Sequence, residues 1–143
     1  MKLAAPGQIR PDKSGAMRTT SYWLSGALLA LTTTLILEGA AGLNLLLGWL
    51  ITINFFTFLY YAIDKLNAVF LANYPQESAR KVRIPEHSLL LLSLAGGSPG
   101  GLLALIICNH KTNDAWFVFR LLAILIAQAA LVVWLWDEIT ALL

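Results

Sequence analysis

The stretch SLLLLSLAGGSPGGLLALIIC, residues 88–108, decides how this chain folds. It is about as long as the roughly 20 apolar residues needed to cross a hydrocarbon core of about 30 Å. Yet Gly96, Gly97, Ser98, Pro99, Gly100 and Gly101 stand at its centre, and glycine and proline both weaken a helix. Two structures are therefore open. In one, the run crosses as a single kinked helix, and the spaced pairs Gly96/Gly100 and Gly97/Gly101 admit a neighbouring helix closely. In the other it breaks into Ser88 to Ala95 and Leu102 to Cys108, of about 12 Å and 10 Å at 1.5 Å per residue, and turns back as a re-entrant hairpin. Such a hairpin stands only where protein shields its backbone. Span length favours the crossing.

Three further apolar runs surround this one, Ser21 to Leu37, Leu43 to Ile63 and Ala115 to Trp136. Within a bilayer the backbone must satisfy its own hydrogen bonds, so all four runs are expected as helices. The expected fold is thus an all-α membrane protein: a bundle of four transmembrane helices over 21–143 behind a flexible basic tail, 1–20. Composition agrees. Hydrophobic residues make up 58% of the chain and charged ones 13%, about half the charge that a soluble domain carries. Tyr22, Trp23, Tyr60, Tyr61, Trp116, Trp134 and Trp136 sit near run ends, where interfacial aromatics belong.

Eight of the ten Lys and Arg lie in the tail Met1 to Thr20 or the connection Asp64 to His87, while the link Glu38 to Gly42 holds none. Basic residues mark the cytoplasmic side. An inner-membrane, multi-pass protein follows, with both termini cytoplasmic if all four runs cross. A single cysteine, Cys108, excludes an internal disulfide.

The candidate site residues lie along the basic boundary. Asp64 and Lys65 close the second run, where they can end the span or bind a head group. Arg80, Lys81 and Arg83 precede Pro85 and Glu86, and a basic cluster there attracts anionic lipid at about 1 kcal/mol per charge. Pro85 suits a first helical turn, and Glu86 sits by the positive end of the helix dipole. His110 and Lys111 follow the third run, and Asp114 suits the N-cap of the fourth. Asn54, deep in the second run, is expected to hydrogen-bond between helices. Arg120 must snorkel or face a partner such as Asp114 or Glu38.

Two catalytic patterns are set aside. Gly96 to Gly100 fits G-x-S-x-G, but no strand precedes it and no Asp-then-His order follows. Cys108 and His110 point about 200° apart on a helix, and His87 is the only other soft ligand, so no metal set forms. No cofactor is implied.

The ordered set Tyr61-Ala62-Ile63-Asp64-Lys65 with Ala68, Arg83-Ile84-Pro85-Glu86, Leu90-Leu91, Leu94 to Gly101, and His110-Lys111-Thr112 with Phe117 resembles the bacterial membrane family catalogued as domain of unknown function 1294. The resemblance covers about Asn54 to Ala130. It implies a small multi-span inner-membrane protein without assigned activity, often joined to an N-terminal cold-shock domain, for which Met1 to Thr20 is too short. Family members carry further basic residues after His-Lys-Thr; here Asn113 and Asp114 stand instead.

The function expected is non-enzymatic: a binding or accessory protein whose basic face of Asp64, Lys65, Arg80, Lys81, Arg83, Glu86, His110 and Lys111 contacts anionic lipid, a protein partner or a second copy. No direct nucleic-acid binding is expected. The alternative is a membrane-embedded enzyme acting on a lipid head group, with His110 as acid or base and Glu86 or Asp64 orienting it. That requires these side chains to converge, as only the re-entrant arrangement readily permits.

Overall fold

The computed structural model describes residues 13–72, 83–108 and 114–142. Among them every regular element is helical: α1 (Lys13–Ala41), α2 (Leu45–Phe70), α3 (Glu86–Leu92), a wide π turn (Ser93–Gly97), α4 (Ser98–Ile107), α5 (Ala115–Trp134) and α6 (Trp136–Leu142). Four segments are long and apolar enough to cross a membrane: Thr20–Ala41, Leu45–Phe70, Glu86–Ile107 and Ala115–Trp134.

Helix α1 begins earlier than the sequence reading placed it. The turns from Lys13 to Thr20, assigned to the tail, belong to the helix. No proline follows Pro11 in this stretch, and a helix needs no lipid to satisfy its own backbone. The link after α1 is short: Gly42 turns it with φ +63°, and Asn44 caps α2 by accepting from the N–H groups of Leu46 and Leu47. Apolar surface supplies no net attraction between helices in lipid, so hydroxyls and small residues join α1 to α2. Thr34 and Thr52 share a 2.7 Å hydrogen bond, Ser25 and Tyr60 one of 2.8 Å, and Gly48 faces Thr34.

The third run folds back on itself at Gly96, whose φ is +113°. Eight residues of unbroken helix would hold Ser93 and Gly101 about 12 Å apart. Instead a Cβ on Gly101 would lie 3.0 Å from Ser93 Oγ and 3.2 Å from the Tyr61 ring. Helix α4 therefore returns beside α3. The levels along α2 agree: Asp64 meets Ile84, Tyr61 meets Ser93, Asn54 meets Gly96 and Gly100, and Trp49 meets Ala95. Helix α5 runs parallel to α3, with Arg120 level with Glu86 and Gln128 level with Ser93 and Leu94.

Two ends result. At the basic end, Tyr61, Ile84, Leu89, Leu90, Ala104, Leu105, Phe117 and Leu121 form a core that ties both arms of the hairpin to α2 and α5. The other end carries the α1–α2 link and α6. In the Glu86–Ile107 segment 44% of the apolar window is buried, against 11% to 28% in the other three, as a broken backbone in lipid requires.

Candidate functional site

The most specific local chemistry lies at the hairpin apex. A helix leaves its last four carbonyls without intrahelical partners, and in lipid no water meets them. Here side chains from two flanking helices do. Gln128 Nε2 of α5 donates to the carbonyls of Ser93 and Leu94, at 2.9 and 2.8 Å. Trp49 Nε1 donates to Ala95 at 3.1 Å, and Asn54 Nδ2 to Gly96 at 3.0 Å. The same Asn54 accepts from Gly100 N–H at 2.7 Å, so one amide holds the end of one arm and the start of the next. Ser98 Oγ completes the set by donating to Gln128 Oε1.

The glycines let α2 reach this apex. A methyl group on Gly97 would overlap Thr57, and one on Gly100 would overlap the backbone of Asn54. Gly96 is needed for its φ, in a region that L side chains rarely adopt. Thus Gly97 and Gly100 serve the expected close approach to a neighbouring helix, Gly101 packs the hairpin's own arms together, and Gly96 makes the turn.

The basic end gathers the charged candidates. Asp64 is fully buried, and its Oδ1 accepts from Ile84 N–H at 2.9 Å, tying the hairpin's entry to α2. Arg18 of α1 donates to the Arg83 carbonyl at 3.0 Å. Arg83 itself is exposed, as is His87. Glu86 Oε2 lies 3.7 Å from Arg120 Nη2, and the Arg120 guanidinium also sits 5.9 Å over the Trp116 ring. This corrects the expected partner of Arg120. Asp114 is engaged as the N-cap of α5, accepting from Phe117 N–H, and Glu38 stands at the far end of α1. Lys65 lies at the same end, half-buried. Arg80, Lys81, His110 and Lys111 lie outside the described residues.

The sequence reading missed Gln128, although it is the only amide in its run. That was the available signal: a lone amide in an apolar helix must find a partner in the protein. Asn54 was expected to bond between helices and does; Trp49 also donates a hydrogen bond across helices.

The fold and this apex define a multi-pass helical membrane protein. The model of the family described as "Protein of unknown function (DUF1294)" matches residues 54–117, so the resemblance carried by the motifs is borne out. Those residues run from the amide at the apex to the aromatic residue at the centre of the basic-end core. No curated protein and no solved structure matches the chain.

Proposed function

We propose that the chain is an inner-membrane protein whose basic end faces the cytoplasm and holds anionic lipid head groups. The supporting observation is the segregation of charge between the two ends of the bundle. Among the described side chains, Arg18, Lys65, Arg83 and Arg120 stand at the basic end, while the other end has Glu38, Asp137 and Glu138 and no cation. Counted along the sequence, with each connection given to the end it joins, all ten Lys and Arg fall to the basic end with five carboxylates. The positive-inside rule puts that end in the cytoplasm.

In this reading the hairpin enters and leaves from the cytoplasmic face. The amino terminus is cytoplasmic and the carboxyl terminus lies across the membrane, in place of the shared side that four crossings would give. Cysteines placed singly at His87, His110 and Leu143, in a Cys108→Ser background, test this with an impermeant maleimide on intact cells. Positions 87 and 110 are expected to be protected and position 143 labelled; opposite labelling of 87 and 110 would restore the crossing.

Changing Arg80, Lys81 and Arg83 together to Gln is expected to lower retention of phosphatidylglycerol on the purified protein about a hundredfold, at about 1 kcal/mol per charge. Retention equal to wild type sinks the head-group reading. The fold-back also lends support to the enzymatic alternative, since it returns both ends of the 109–113 connection to Asp64 and Glu86. Against it, Asp64 holds the Ile84 N–H and Glu86 faces Arg120, so both carboxylates already serve the hairpin's entry.

A further inference from the structure

Arg120 stands at the membrane boundary with most of its hydrogen-bonding capacity not taken up by the protein. It lies inside the apolar segment that opens at Ala115, about 8 Å from that end at 1.5 Å per residue, where a charge facing lipid is costly. Its side chain accordingly runs back toward the basic end. Nε donates to the Trp116 carbonyl at 3.4 Å, and the guanidinium sits over the Trp116 ring. Of the five N–H donors that a guanidinium carries, only this one makes a hydrogen bond among the described residues. The Glu86 carboxylate, 3.7 Å from Nη2, is beyond hydrogen-bonding distance. A guanidinium laid on an aromatic ring with its Nη donors open matches the two free oxygens of a phosphodiester.

We propose that Arg120 grips the phosphate of an anionic phospholipid from the cytoplasmic leaflet, and that Glu86 competes with the head group for it. The surroundings select a lipid over a soluble anion. Trp116 and Phe119, with rings stacked at 5.7 Å, are 65% and 61% exposed on a membrane-spanning helix, and aromatic rings at that level pack on the upper part of an acyl chain. A free phosphate gains nothing from either ring. Arg18, Lys65 and Arg83 stand at the same end and disfavour the ammonium of a zwitterionic head. The internal competitor is weak. Its single contact is long and both side chains are partly open, 29% for Arg120 and 42% for Glu86; ion pairs so exposed contribute little. A phosphodiester that meets both Nη groups in the guanidinium plane makes two shorter, charge-assisted bonds. It therefore displaces Glu86, whose charge sets how readily the site fills. The inference rests on the head-group reading of the basic end, and adds to it the residue that makes the contact and the one that opposes it.

The test uses the full chain in nanodiscs of phosphatidylglycerol and phosphatidylcholine in equal parts, with lipid retained after mild extraction read by mass spectrometry of the intact protein. Arg120→Gln is expected to lower retention of phosphatidylglycerol about tenfold, as loss of a charge-assisted contact does. Arg120→Lys, which keeps the charge but not the fork, is expected to lower it about threefold. Glu86→Gln is expected to raise it about threefold. The opposite signs exclude a purely structural pair, since loss of either partner of such a tie acts in one direction. Equal retention in Arg120→Gln and wild type, or a fall in Glu86→Gln, overturns the proposal. So does displacement of the lipid by inorganic phosphate beyond that seen with chloride at equal ionic strength, which would make a free anion the ligand. If Arg120→Gln matches wild type while the Arg80, Lys81 and Arg83 variant still loses phosphatidylglycerol, this inference alone fails. Wild type that retains no more phosphatidylglycerol than phosphatidylcholine removes the head-group reading with it.

Discussion

Gly100→Ala is expected to destabilise the purified protein by about 4 kcal/mol, although it adds one methyl group. The added Cβ would overlap the backbone of Asn54, and backbone cannot swing aside as a side chain can. Helix α4 must then move away from α2. Overpacking of this kind costs about 1 to 3 kcal/mol, and the movement also stretches the 2.7 Å bond from Gly100 N–H to Asn54, adding about 1 to 3 kcal/mol for a buried group left unmet. Gly39→Ala is the matched control. It lies within α1 with nothing within 4 Å of its added Cβ, so the better helix former should gain up to about 1 kcal/mol. Unfolding by sodium dodecyl sulphate from mild detergent, followed by tryptophan fluorescence, measures both. Equal stability of Gly100→Ala and wild type would mean that the hairpin does not pack on Asn54.

The four runs, the basic boundary and the glycine motif were legible because each rests on local rules: span length, charge bias and backbone permissiveness. The direction of α4 was not. Span length argued for a crossing, and that argument counts residues without asking what meets the carbonyls where a helix stops. The deciding facts are non-local: Gln128 lies 35 residues from Ser93, and Trp49 lies 46 from Ala95. The mistaken partner for Arg120 has the same root. Under a crossing, Glu86 and the start of α5 stand at opposite faces, out of each other's reach; once α4 returns, the two are level. At the basic end the sequence named Asp64, Arg83 and Glu86 as a surface. In the fold Asp64 is buried under Ile84, and only part of that surface remains open to a head group.

Gln128→Leu should cost about 3 kcal/mol by the same measurement, and Gln128→Glu more. Leucine fills similar space but removes the side-chain donor to the carbonyls of Ser93 and Leu94, at about 1 to 3 kcal/mol for each bond lost where water is absent. Glutamate, if charged, turns a carboxylate toward those carbonyl oxygens, adding repulsion to the lost donors. Asn54→Leu acts on the other side of the apex, stranding the Gly96 carbonyl and the Gly100 N–H, and belongs in the same range. Because both amides hold one turn, losing either loosens what the other grips, so the double variant should fall short of the sum by about 1 kcal/mol. Hydrogen exchange at residues 93–101 should rise in each single variant before the rest of the molecule opens, since the apex is the part released. If Gln128→Leu instead matches wild type within about 0.5 kcal/mol, the freed carbonyls must find water. The apex would then be wet, and the hairpin would line an aqueous path into the membrane rather than a dry clamp between two helices.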